Sequence, residues 1–182
     1  MNSPAIFAAA CLAASTLTMP AGAQTDKSLC RKVSGHGTWT LIASPGDPLG
    51  RVLGPTTGTL KAAVSAYLTT LLPQPTGEIL TSSVETWVLD EDDFDSRPPK
   101  AIPSRNTLTF NGKAIFTPVA GQPVGTVTDA LTLTVASGTG DYVNATGSLQ
   151  VTGTGFSVFG PNAAPGNSFF KIRYEGRICR AK

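Results

Sequence analysis

The dominant signal along the chain is a period of two. Trp39, Leu41 and Ala43 alternate with Thr38, Thr40 and Ile42, and Leu108, Phe110, Gly112, Ala114 and Phe116 alternate with Thr109, Asn111, Lys113 and Ile115. Leu131, Leu133 and Val135 are interleaved with Thr132 and Thr134, and Leu149 and Val151 with Gln150 and Thr152. Phe170, Ile172, Tyr174 and Ile178 share their segment with Lys171, Arg173, Glu175 and Arg177. Apolar residues at every second position, with threonine or charge between them, mark antiparallel strands with one buried face. Turn signals separate the runs at 44–48, 73–77, 120–123 and 160–166, each built from Pro, Gly, Asn, Asp or Ser. The spacing predicts about eight strands. Residues 60–72 read both ways. Leu60, Val64, Tyr67 and Leu71 have helical spacing, whereas Thr69, Thr70 and the Pro-rich turn that follows favour a hairpin strand.

Composition sharpens the picture. Of 182 residues, 41% are hydrophobic and 14% charged, which excludes a disordered chain. The 24 threonines, 19 glycines and 14 prolines suit strands joined by tight turns. A net charge of +2 leaves no footprint for nucleic acid.

Residues 1–23 carry no charged side chain. Ile6–Met19 is a short apolar run that ends in Pro20-Ala21-Gly22-Ala23 before Gln24. That layout predicts a secretory signal cut after Ala23, an exported single domain over 24–182, and no membrane span. Two cysteines remain after cleavage, Cys30 and Cys179. In an oxidising compartment they are expected to pair; two free thiols or an intermolecular bridge are the alternatives. A bond between them would place the first and last strands side by side, since disulfide geometry needs Cα atoms within about 7 Å. A closed barrel delivers that adjacency and removes every exposed sheet edge, although a two-sheet sandwich also brings the ends together. The expected fold is therefore all-β: a single antiparallel barrel of about eight strands with β1 next to the last strand.

The segment from Val135 to Gly147 reads Val-Ala-Ser-Gly-Thr-Gly-Asp-Tyr-Val-Asn-Ala-Thr-Gly. It resembles the hairpin signature of the allene oxide cyclase and dirigent barrel superfamily. Gly138, Thr139, Gly140, Tyr142, Ala145 and Gly147 match, and Ser137 stands where a glycine is usual. The resemblance implies a barrel whose aromatic residue folds back over one end, with Gly138 and Gly140 in conformations that a β-carbon disfavours. It also implies a lumen that takes an apolar small molecule. None of the superfamily's catalytic residues aligns with this chain.

The side-chain inventory removes several chemistries. One histidine, His36, and no spare thiol exclude a Cys/His zinc site and a cysteine nucleophile. There is no Gly-x-Ser-x-Gly elbow and no phosphate loop. The run Asp90, Glu91, Asp92, Asp93 and Asp95 lacks the spacing of a calcium loop and reads as solvated, as does the basic segment Lys171–Lys182. No cofactor or metal is implied. Tyr67, Glu85, Trp87 and Tyr174 are left as candidates for a ligand site. Any activity is therefore expected in the lumen or its mouth rather than in a polar catalytic cluster. The functional expectation is a secreted barrel that binds a small apolar molecule, or presents a stable surface, without chemistry. The alternative is a cyclase- or isomerase-like enzyme acting through the shape of its lumen. A lumen of roughly 300 Å³ or more that holds polar groups would favour binding or catalysis.

Overall fold

The structure is a computed structural model that describes residues 29–44, 47–90, 106–158 and 168–181. The proposed signal segment and the acidic run beyond Asp90 lie outside the described residues.

Eight strands follow in chain order: β1 (Leu29–Ser44), β2 (Asp47–Gly58), β3 (Ala62–Pro73), β4 (Ile79–Leu89), β5 (Thr107–Pro118), β6 (Val127–Thr139), β7 (Thr146–Phe156) and β8 (Ser168–Arg180). Each pairs antiparallel with the next, and β1 pairs with β8, so the sheet closes into a barrel. Residues 62–73, ambiguous in sequence, are strand. The helical spacing in this stretch came from counting Tyr67 with Val64. In a strand, two residues three apart point to opposite faces.

An eight-stranded barrel has an interior just wide enough for side chains to fill. The period-two residues fill it. Leu108, Phe110, Leu133, Leu149, Val151 and Ile178 are almost wholly buried, together with Trp87 and Tyr174. Trp87 forms the hub, meeting Trp39, Phe110 and Tyr174 edge-on with ring centroids 6.1, 5.4 and 5.4 Å away.

The barrel has two unlike ends. At one lie the chain termini of the domain, where Cys30 and Cys179 are directly opposed partners on β1 and β8 and are joined by a disulfide. The β2–β3 and β6–β7 connections lie at this disulfide end, together with the end of β4 and the start of β5. Tyr142 belongs to a 3-10 turn (Gly140–Tyr142) and is 1% exposed against the barrel mouth. Gly140 has φ +61°, and a β-carbon there would overlap the Asn106 carboxamide, whose Oδ1 accepts the Asp141 N–H at 3.0 Å. Gly147 also has positive φ, +136°. Gly138 differs from expectation. Its φ is not positive, and glycine is needed there because a β-carbon would run into the Tyr142 backbone.

Outside, the barrel wall is not uniform. The β1, β6, β7 and β8 side carries mostly Thr, Ser, Lys and Arg, with Leu29 and Phe169 as its exposed large apolar residues, whereas Leu53, Tyr67, Leu72, Leu80, Val84, Val88 and Ile115 are exposed over β2–β5.

Candidate functional site

The other end of the barrel, where the β3–β4 and β5–β6 connections lie, is built differently. Glu85 on β4 and Asp129 on β6 occupy inward positions of the pleat and are 2% and 6% exposed. Glu85 follows Thr81 and Ser83 and precedes Trp87 on the inner face of β4, so it extends a polar stretch of that face. Asp129 interrupts an apolar series, between Val127 and Leu131 on the inner face of β6, and stands where the period would place a leucine. Both carboxyls line one cavity with Trp39, Ala66, Ala114 and Phe170.

Small residues make the room. Ala66 and Ala114 face inward near Glu85, and Gly112 on β5 leaves the space into which the Ser83 hydroxyl projects. The cavity is about 30 Å³, room for only one or two waters. That is far below the volume that encloses a whole drug-sized ligand. Its polar content is nevertheless high for so small a space.

Glu85 is held on both oxygens. The Ser83 hydroxyl donates to Oε1 and the Trp87 indole N–H to Oε2, each at 3.2 Å. Burial nonetheless dominates and pushes its carboxyl up from 4.5 to about 7, with the Trp87 and Ser83 hydrogen bonds pulling the other way. Asp129 is raised from 3.8 to about 7 by burial and, secondarily, by the negative charge of Glu85. Like-charge repulsion is mutual, so the two protons leave in steps that belong to the pair. Asp129 Oδ1 is buried and has no hydrogen-bond partner. A buried acceptor without a partner costs free energy that a leucine in its place would not.

The four residues singled out from sequence divide. Glu85 lines the cavity. Trp87 and Tyr174 are fully buried deeper in the barrel. The Tyr174 hydroxyl accepts the Leu60 N–H at 2.9 Å and faces the carbonyls of Leu60 and Thr57 at 2.9 and 3.1 Å, so it closes the disulfide end. Tyr67 is corrected: it lies on the outer face, 43% exposed, with the Arg51 guanidinium 4.0 Å over its ring. His36 and Glu175 also face outward. Asp129 went unnoticed in sequence, although its register with Leu131 and Leu133 marks it as inward-facing. The sequence reading left Glu85 as a carboxylate of the lumen, and the structure sets Asp129 on the same cavity.

Among the described residues, no group of three or more His, Cys, Asp or Glu stands together as a metal site, and no helix is long and apolar enough to cross a membrane. The chain matches no protein-family model, no curated protein and no solved structure.

Proposed function

We propose that this protein is an exported barrel that binds a small, neutral, largely apolar molecule through that molecule's one polar end, at Glu85 and Asp129. One observation carries the reading: two inward carboxyls share a cavity lined mainly by apolar side chains, and one oxygen of Asp129 has no partner. Near neutral pH the pair retains proton character, so it can donate to a carbonyl or ether oxygen and accept from a hydroxyl. A charged ligand would add a buried charge to a site that already disfavours one. The small volume means that the ligand enters by its polar end, with its apolar part toward the barrel mouth. The intramolecular disulfide, the secretory layout of residues 1–23 and the resemblance to the allene oxide cyclase and dirigent superfamily all support this reading.

A second reading is favoured by the same two carboxyls. Acids that titrate near neutral pH are suited to proton transfer, one as donor and one as acceptor. An isomerisation or cyclisation moves a proton without net oxidation and needs no cofactor.

The test is titration of the two carboxyls by NMR, alone and with a series of neutral aromatic and aliphatic ketones and alcohols. Binding should shift the Glu85 and Asp129 resonances and fail in Glu85→Leu/Asp129→Leu. Turnover of any bound compound, lost in Asp129→Asn, would favour the enzymatic reading. No shift with any compound would leave a barrel that only presents its surface.

A further inference from the structure

The outer wall of β8 carries Lys171, Arg173, Glu175 and Arg177 at alternate positions, all exposed. Along a strand, same-face residues repeat every ~7 Å, so the three cations span about 20 Å in a row. The register adds to them. Lys32 lies directly opposite Arg177 on β1, and His36 opposite Arg173. On the other flank, β7 places Ser148, Gln150, Thr152 and Thr154 beside Arg177, Glu175, Arg173 and Lys171 in turn. Like charges directly opposite one another destabilise a sheet, and the Lys32–Arg177 pairing has only Ser148 on its far side. Among the described residues none of Lys32, Lys171, Arg173 or Arg177 makes an ion pair. A shallow surface hollow lies at the Lys32–Arg177 end of the row, lined also by Ser34, Ser148, Gln150 and Glu175.

We infer that this face docks an extended acidic polysaccharide, with carboxylate or sulfate groups on Lys32, Lys171, Arg173 and Arg177 and a sugar ring in the hollow. Guanidinium groups suit such anions because they can bind two oxygens at once. The hydroxyl and amide side chains of Ser34, Ser148 and Gln150 suit the sugar's own hydroxyls. Glu175 decides between polymer classes. A carboxylate among cations repels a phosphate-dense surface, but it accepts hydrogen bonds from a polyhydroxylated ring. An anionic membrane would need apolar anchors beside the cations, and the hollow has none. A nucleic acid would call for a series of aromatic stacking platforms; this wall offers one stacked pair, Phe156 and Phe169 beyond Lys171, and none beside Arg173, Arg177 or the hollow.

The test is isothermal titration of the exported protein with polygalacturonate at low and raised salt, beside uncharged dextran, phosphatidylglycerol vesicles and a single-stranded oligonucleotide. Binding to polygalacturonate alone is expected, and it should weaken as salt rises. Arg173→Gln/Arg177→Gln should weaken it about tenfold or more with an unchanged melting transition. Lys113→Gln, on the opposite wall, should leave it intact. Glu175→Ala should also weaken binding, even though it removes a negative charge. A tightening with Glu175→Ala would show that charge alone is recognised and overturn the sugar assignment. So would equal binding of the vesicles or the oligonucleotide. No binding of polygalacturonate at low salt, or indifference to the double arginine variant, would overturn the docking face itself.

Discussion

At the disulfide end, most of the polar groups that close the barrel are hydrogen-bonded to the backbone. The Tyr174 hydroxyl serves the backbone of the β2–β3 turn, the Thr56 hydroxyl donates to the Leu60 carbonyl at 2.9 Å, and Asn106 holds the turn that carries Tyr142. Arg180 lies over the Tyr142 ring and 3.8 Å from Asp141, so the lid is held from outside as well. At the acid end, the same barrel interior receives two carboxyls and leaves one of their oxygens unpartnered. The contrast separates two uses of buried polarity. Polar groups that complete each other's hydrogen bonds specify a structure. Polar groups left incomplete lower stability and provide a place for a ligand. The disulfide end is built for persistence, and the acid end is where we propose that a ligand binds.

Breaking the disulfide tests the first half of this contrast most severely. Cys179→Ser should destabilise the fold by about 2–5 kcal/mol in denaturant titration, because the bond ties the first strand to the last. A loss near zero would mean that the β1–β8 ladder and the Tyr142 lid hold the end unaided.

The acid end should respond to pH with the opposite sign to ordinary acid denaturation. Both carboxyls have folded values of about 7, above their usual 4.5 and 3.8. The folded state therefore holds protons that the unfolded chain has released. Stability from these groups is full below about pH 4 and falls as pH rises through about 7. At about 1.4 kcal/mol per pKa unit, two groups that each titrate through about two units between pH 5 and pH 7 should together lose on the order of 5 kcal/mol by pH 8. Glu85→Gln/Asp129→Asn should flatten that dependence and be more stable than the parent at pH 8. A melting profile that instead rises toward pH 8 would contradict the burial argument.

Tyr174→Phe keeps the ring and deletes the hydroxyl on which the Leu60 N–H relies. The expected cost is about 1–3 kcal/mol, the penalty of a buried donor without a partner. It should be the same at pH 5 and pH 8, which would set the two ends apart. The smallest effect belongs to Ser83→Ala. Its hydrogen bond favours the charged form of Glu85, so removal should raise the Glu85 titration midpoint seen by NMR, with a stability change of about 1 kcal/mol or less.

Much of the fold was readable because a one-sided sheet imposes a period of two that composition cannot disguise. The inward series of β5, β6, β7 and β8 follow from it, and Glu85 was legible beside Trp87 on one face of its strand. The pair of cysteines, read as lying in an oxidising compartment, pointed to adjacent end strands. Tyr67 was set with Glu85 and Trp87 as a pocket residue, but it falls on the opposite face of β3 from Ala62, Val64 and Ala66. Asp129 was passed over because an acid interrupting an apolar run looks like the run's end. Its neighbours Val127 and Leu131 were the available signal that it faces inward.

What the sequence determined alone is therefore the class of element, the inward face of most strands and the constraint that joins the chain's two ends. These are local matters of pleat and covalent geometry. That Glu85 and Asp129 share one cavity is a different kind of fact. Their strands are separated by β5, and the two side chains converge only because closure bends the sheet around a narrow lumen. The same closure sets Lys32 against Arg177 across residues nearly a whole domain apart. Both candidate surfaces are products of curvature and register, and those exist only once the last strand has paired with the first.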